Sequence, residues 1–376
     1  MKEGKLSVAL AGMRFGGAFV PIYMKHPDVS ELVIVDTDLK KVNEIGDMFE
    51  VERRASSLDE VIADPSIDAV HLVTPIPLHA EQSVRVLQAG KHCACTVPAA
   101  TSLEDLFALV RAAKESGKNY MMMETNVYTR QFIHFNNMYQ RGEFGKIQLL
   151  RGSHYQDMEN WPAYWNGLPP MFYATHAISP LLAITGTRAE KVHCFGSGTM
   201  REELHKQYNN PYPAETAIFR LHNHPAALEV TRTLFETARA YTEGFSIYGE
   251  KCTMEWNFDS KPRLHILGSA MPGSRGLPTV VEELSVPDYA DLLPKEIGRF
   301  TETGIYDDTN PQLSFKTGGG HHGSHPHMVH EFVRSIIENR QPWINAVRAA
   351  DWTAAGICAH MSAMRDGDGV TVPEFE

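Results

Sequence analysis

Leu6-Ser7-Val8-Ala9-Leu10-Ala11-Gly12-Met13-Arg14-Phe15-Gly16-Gly17 is the stretch that decides the fold. A short, nearly continuous apolar run, Leu6 to Ala11, marks a strand buried on both faces. It enters a glycine turn and then an apolar helical stretch from Gly17. Against the dinucleotide fingerprint G-x-G-x-x-G, Gly12 and Gly17 hold the first and third places and Arg14 the second. A glycine at the middle place normally lets backbone approach a pyrophosphate. Arg14 offers a cation to the phosphates instead, beside a helix N-terminus that favours anions. Phe15 and Gly16 complete the turn. Pro21 falls late in this helical stretch, where a proline is costly unless the helix starts further on.

The pattern repeats outward from that turn. Leu32–Val35 is a second buried strand closed by Asp36, 24 residues after Gly12 and near the ~20 expected of a carboxylate on the ribose 2′-hydroxyl. A carboxylate there repels a 2′-phosphate, and Thr37 follows rather than arginine, so NAD is expected over NADP. Ala69–Val73 reads as a strand, Leu78–Ala89 as a helix stopped by Gly90, Leu103–Ser116 as a helix before Gly117, and Tyr120–Met123 as a strand. Alternating strand and helix predict parallel βαβ units. Beyond Gly145 the rhythm changes to successive strands, at Ile147–Tyr155, Ala217–Leu221, Ala227–Leu234, Phe245–Tyr248 and Cys252–Phe258. Helices are expected over Ala177–Ile184 and His327–Glu338. The boundary is placed at Glu124–Asn126, giving an NAD-binding domain over 1–124 and a substrate-binding α/β domain with a mainly antiparallel sheet over 125–376. Met271 to about Gly320 reads as long surface loops, an arm over the site.

A chain of 376 residues with a formal net charge of −11 argues against nucleic acid or anionic membrane as partners and for a small-molecule substrate. Five cysteines, an odd and scattered count, read as reduced thiols. No apolar run reaches the ~18 residues of a membrane span, and no signal-peptide pattern is present, so a cytoplasmic location is expected.

Three stretches carry a family likeness. Asp68-Ala69-Val70-His71-Leu72-Val73-Thr74-Pro75 with His79, Ala89-Gly90-Lys91-His92 with Thr96-Val97-Pro98, and Thr175-His176-Ala177-Ile178 resemble segments of the glucose–fructose oxidoreductase/inositol dehydrogenase/rhizopine-catabolism (Gfo/Idh/MocA) family. The resemblance implies a Rossmann domain, an open-faced sheet in the second domain, and cofactor contacts from Thr74, Pro75, His79, Thr96, Val97 and Asn126. The family's lysine would fall at Val97, and its usual carboxylates at Phe172 and Ser179, so only His176 remains of that set. Val97-Pro98-Ala99-Ala100, Met123-Glu124-Thr125-Asn126-Val127-Tyr128 and Tyr173-Ala174-Thr175-His176 resemble the NAD-dependent glycoside hydrolases of this superfamily. That likeness implies acid/base roles for Tyr128 and His176.

The chemistry implied is redox-neutral cleavage of a pyranoside: oxidation at C3 acidifies the C2 hydrogen, the aglycone is eliminated, water adds and the hydride returns. The rival readings are a net NAD-dependent dehydrogenase of a pyranoside or cyclitol, and a non-catalytic NAD-binding regulator. A neutral imidazole suits His176 as the hydroxyl base, whereas Tyr128 as a base requires cations that lower its pKa. Along Ile147–Tyr155 and beyond, His154 shares one face with Gln156, and Tyr155 the other with Asp157. One of these pairs should face the sugar. Trp161, Trp165 and Tyr173 are candidate stacking or contact residues, as is His325 in Gly318-Gly319-Gly320-His321-His322-Gly323-Ser324-His325-Pro326-His327. Ser324 reads as a helix N-cap before Pro326. A metal at these histidines is not expected, because no recognised ligand spacing or accompanying carboxylate set is present. An open-faced sheet needs cover, so a homodimer or homotetramer is expected.

Overall fold

The computed structural model describes residues 4–257, 259–270, 272–273, 275–302 and 320–376. Two units emerge. The first comprises Met1–Arg130, Asp288–Ala350 and Phe375–Glu376, and the second Gln131–Pro287 and Asp351–Glu374.

In the first unit, β1 (Leu6–Ala11), β2 (Val29–Val35), β3 (Arg54–Ala55), β4 (Ala69–Leu72), β5 (His92–Thr96) and β6 (Tyr120–Met123) form one parallel sheet in the order β3-β2-β1-β4-β5-β6. All six residues of β1 are buried, which is why its sequence does not alternate. The order reverses direction at β1, the doubly wound arrangement whose ligand crevice opens beyond the strand C-termini. The helical stretch after Gly12 differs from expectation in one detail. It runs Met13–Gly16, tightens to a 3₁₀ turn at Gly17–Phe19, and restarts as Val20–Lys25. Pro21 therefore sits in a first turn, where its missing N–H costs nothing.

The expected boundary is corrected further along. Asp288–Ala350 returns to the first unit rather than continuing the second domain. Asn119 Nδ2 donates to Arg340 O at 2.8 Å and to Ser335 Oγ at 3.0 Å, and the Met122 N–H donates to Ile344 O at 3.1 Å. These bonds satisfy groups on and beside edge strand β6. The helix here spans Ser324–Ile337, with Gly323 rather than Ser324 at its N-cap. Of the expected arm, Thr279–Glu283 is a strand, Ala290–Leu292 and Lys295–Gly298 are short helical turns, and 303–319 lie outside the described residues.

The second unit holds β7 (Ile147–Tyr155), β8 (Ala189–Ser197), β9 (Ala214–Leu221), β10 (His224–Thr233), β11 (Thr242–Gly249), β12 (Cys252–Asn257), β13 (Arg263–Leu267), β14 (Thr279–Glu283) and β15 (Val370–Thr371). Their order is β14-β13-β12-β11-β7-β10-β9-β8-β15, antiparallel throughout except for the β10–β7 pair. Leu150, Gly152 and His154 of β7 are buried on the face covered by helix Thr175–Thr185, which packs on β7, β10 and β11. A Cβ at Gly152 would run into the Ala177 carbonyl, so glycine is what lets this helix lie so close. The opposite face is open. There Arg151, Ser153, Tyr155, Glu229, Thr231 and Tyr248 line a concavity of about 450 Å³. Among the described residues, no helix is long and apolar enough to cross a membrane.

Candidate active site

The nucleotide turn is built from short-range parts. Gly12 sits at φ +98°, and a Cβ there would collide with the Val73 carbonyl on the neighbouring strand's extension. Asp36 Oδ2 accepts the Met13 N–H at 2.7 Å, and Oδ1 accepts the Asp38 N–H at 2.9 Å. Asp36 thus ties the turn to the end of β2, and each oxygen keeps lone-pair capacity for a ribose hydroxyl. Arg14 is exposed, and Gly16 and Gly17 are buried. Phe15 is 46% exposed, its ring edge-on to Phe19 at 5.6 Å and to His325 at 5.7 Å. The close backbone at Gly12 and the spare acceptors on Asp36 fit an NAD diphosphate and ribose.

His79 lies behind that surface, not on it. Its Nδ1 is 2.7 Å from Pro98 O and its Nε2 2.8 Å from Thr74 O, with Thr96 Oγ1 3.4 Å from Nε2. It is buried, and burial pulls its pKa down. His79 therefore lies between the two loops carrying Thr74-Pro75 and Thr96-Val97, and as a neutral imidazole it donates its single N–H to one of the two carbonyls. Thr74 Oγ1 donates to Gln82 Oε1 at 2.6 Å, and Val97 is buried. Asn126 is buried, its N–H donating to Glu124 Oε1 at 2.9 Å in the short turn Thr125–Tyr128. Tyr128 in that turn stands edge-on to Trp343 at 5.8 Å. The lowered pKa that a tyrosine base needs is not there. Burial first, then Glu331, raise its phenol well above the ordinary value, outweighing Arg340 and Arg348, and the ring stays neutral.

In the second unit the parts come from far apart. Helix Thr175–Thr185 begins immediately before His176, so the imidazole sits at a helix N-terminus, where added positive charge is disfavoured. Its ring centroid lies 5.2 Å from His154 and 5.4 Å from Tyr173. Aromatic contacts continue on both sides. Tyr241 stands 5.1 Å from His154, Trp165 4.9 Å from Tyr173, and Trp161 5.7 Å from Trp165. Trp161 is 48% exposed and Trp165 buried, a graded apolar wall of the kind that accepts a pyranose face. His154 and Gln156 are the pair on the His176 side. The expected contacts from Tyr155 and Asp157 are corrected. Tyr155 lines the concavity on the opposite face, and exposed Asp157 accepts the Glu159 N–H at 2.9 Å, because successive strand residues alternate.

Two buried charges hold the turn that leads into His176. Arg232 Nε donates to Tyr173 O at 2.9 Å, NH1 to His154 O at 3.2 Å and to Thr233 O, and NH2 to Gln156 Oε1 at 3.1 Å. Desolvation lowers Arg232 to about 10, so it remains a cation at neutral pH. Glu215, directly opposite Arg232 in the β10–β9 register, accepts the Met171 N–H at 2.8 Å and lies 2.7 Å from His360 Nδ1. The cross-strand pair thus takes the turn Pro170–Tyr173 by one donor and one acceptor. Sequence reading missed Arg232, Glu215, Tyr241 and Glu243. For Arg232, Glu215 and Glu243 the signal available was a charged residue at an inward position of an alternating strand.

His325 is the remaining displaced candidate. It belongs to the first unit, where its ring packs on Phe19 at 4.7 Å and His321 at 5.6 Å, and burial lowers its pKa to about 4. Within that unit its place is in the packing under Phe15. Among the described residues, no group of three or more His, Cys, Asp or Glu side chains is arranged to hold a metal.

The Gfo/Idh/MocA profile, described as an oxidoreductase family with an NAD-binding Rossmann fold, matches residues 6–124. Glycosyl hydrolase family 109 protein 1 of Phocaeicola vulgatus is 24% identical over 342 residues, covering 82% of this chain and 69% of that protein. The family 109 protein of Porphyromonas gingivalis is 30% identical over 194 residues, 47% of this chain and 41% of its own length. Among solved structures, levoglucosan dehydrogenase in complex with NADH superimposes with a TM-score of 0.77 at 22% identity, covering 99% of this chain and 100% of that one. An NAD-binding oxidoreductase from Klebsiella pneumoniae does so with a TM-score of 0.78 at 18% identity, over 99% and 100% of the two chains. Residues 6–124 match the NAD-binding Rossmann domain of the Gfo/Idh/MocA oxidoreductase family, and the chain is an NAD-binding enzyme.

Proposed function

We propose that this enzyme is a redox-neutral glycoside hydrolase acting on a pyranoside. The observation that carries the reading is His176, a buried imidazole at a helix N-terminus with the rings of His154 and Tyr173 beside it, in a chain with buried Val97 where a lysine would otherwise polarise a ketone. The relatives named glycosyl hydrolase family 109 support it. Bound at the Gly12 turn and Asp36, NAD would supply the hydride acceptor for C3 and the donor for the final reduction. His176 accepts the C3 hydroxyl proton as the ketone forms and gives it back at the end. The C2 proton passes to solvent as the aglycone leaves C1, water adds at C1, and C2 takes a proton back from solvent. Tyr128, a neutral phenol, fits the donor that protonates the leaving oxygen better than the C2 base. Trp161, Trp165 and Tyr173 present the apolar surface for the ring.

The second reading, a net dehydrogenase of a pyranoside or cyclitol, is favoured by the structural likeness to levoglucosan dehydrogenase. Turnover of an aryl pyranoside in heavy water separates them. The hydrolase places deuterium at C2 of the released sugar without net NADH, whereas stoichiometric NADH with no C2 deuterium establishes the dehydrogenase. In either case His176→Ala lowers hydride transfer by ~10²–10⁴-fold, the usual worth of a positioned base. We further propose a two-fold dimer through the open face of the sheet. Light scattering at micromolar concentration tests it, and a monomer would refute it.

A further inference from the structure

We infer that Glu243 is the positioning residue for His176, holding Nδ1–H towards its carboxylate so that Nε2 is the atom that accepts the substrate proton. His176 Nδ1 lies 3.9 Å from Glu243 Oε2, with the two side chains 4% and 0% exposed. Glu243 stands opposite His154 in the β7–β11 register, so both project to the face covered by the helix that begins at Thr175. The titratable and charged groups gathered here come from every packed element. They are His154 from β7, Arg232 from β10, Tyr241 and Glu243 beside and on β11, and Tyr173 from the preceding turn. Glu243 supplies the carboxylate of that set among the described residues.

The inference rests on the reading of His176 as the base, and it follows from what proton uptake does there. An imidazolium formed at His176 is buried and faces the positive end of a helix, and both conditions oppose it. Arg232, the cation of this neighbourhood, has its donors committed to Tyr173 O, His154 O and Gln156 Oε1. A fixed carboxylate 3.9 Å from Nδ1 is the opposing influence, and away from water its attraction is less screened. The carboxylate also selects the tautomer, since Nδ1–H is the arrangement that points a proton at an anion, and the lone pair then sits on Nε2.

Nitrogen-15 NMR of histidine-labelled protein, with His176→Asn used to assign the signal, reads the tautomer without any substrate. The expected result is Nδ1–H in the wild type and a mixed or reversed tautomer in Glu243→Gln. Single-turnover NADH formation on an aryl pyranoside should fall ~10²-fold in Glu243→Gln with the substrate KM little changed, and Glu243→Asp should recover part of it. A Glu243→Gln protein that melts and binds NAD like the wild type, keeps the wild-type tautomer and transfers hydride within twofold overturns the inference. Should Glu243→Gln not fold, Glu243→Asn, which also lacks the charge, carries the same two measurements. A wild type that turns over no glycoside overturns the proposed function instead, while the tautomer result still decides the pairing.

Discussion

The nucleotide turn Gly12–Gly17 and the histidine turn Pro170–His176 each bring a reactive surface to the end of a sheet, but by opposite means. The first is local. Its conformation comes from Gly12, its tether is Asp36, and the N–H it satisfies belongs to Met13. The second is assembled from remote strands: Arg232 of β10 and Glu215 of β9 grip backbone groups of Tyr173 and Met171. A local turn can be replaced or slipped without unfolding anything else. A turn held by buried charges cannot, because each charge left behind is costly once its partners are gone. The difference teaches where substitutions will be felt: at the nucleotide turn in affinity, at the histidine turn in catalysis and stability together.

Arg232→Met should give the largest effect. It fills the volume but leaves the Tyr173 and His154 carbonyls and Gln156 Oε1 without their donor. We expect ~3–5 kcal/mol of lost stability and a hydride-transfer rate lowered by ~10²-fold or more, since misplacing a reacting group by about 1 Å is enough for that. NAD affinity should be unchanged. Calorimetry and single-turnover absorbance check the two losses. A variant that melts normally and turns over normally would break the comparison outright, since the buried cation would then hold nothing that matters.

Asp36→Ala comes next and should act through binding alone. A hydrogen bond to a charged group contributes ~1.5–3 kcal/mol, so NAD affinity should fall ~10–100-fold, with NADP binding improved relative to NAD. At saturating NAD the rate should return to within a few-fold of the wild type. Titration calorimetry with both cofactors measures this. Equal wild-type affinities for NAD and NADP would remove the role given to Asp36.

This contrast also explains how much was legible in the sequence. β1, β6, β7 and the helix Leu103–Ser116 lie where the apolar pattern puts them, because parallel buried strands and capped amphipathic helices announce themselves over a few residues. The return of Asp288–Ala350 to the first unit was not visible, since nothing local in that segment says which sheet edge it will cover. Strand β8 escaped notice because only Ala189, Val192 and Cys194 of its nine residues are buried. His176 was readable by resemblance and His154 by strand alternation, but choosing His154–Gln156 over Tyr155–Asp157 required knowing which face the helix covers. Arg232, Glu215 and Glu243 looked like ordinary strand charges. Their meaning lies in contacts with residues 44, 59 and 67 positions away in the chain, which no spacing rule encodes.

The smallest effect at neutral pH is expected at His325, and it sharpens the comparison from the nucleotide side. Beneath Phe15 the support is an uncharged imidazole, whose folded pKa is lowered from 6.5 to about 4 by burial among Phe15, Phe19 and His321. A base with a depressed folded value binds its proton more readily when unfolded. Its stabilising contribution is therefore complete above about 6.5 and is lost as the pH falls from there towards about 4. At pH 5 that linkage amounts to about 2 kcal/mol of destabilisation from this one residue. His325→Phe abolishes the titration and keeps the ring, so at pH 7.5 its stability should match the wild type within ~1 kcal/mol. Between pH 6.5 and pH 4 the variant should lose stability less steeply than the wild type. His71, lowered to about 3 by burial and by His325, stays in place and keeps part of the acid sensitivity. Denaturant melts at several pH values decide it. Parallel wild-type and variant curves would mean that His325 takes up its proton without leaving its packed site, and that the nucleotide turn does not depend on an uncharged support.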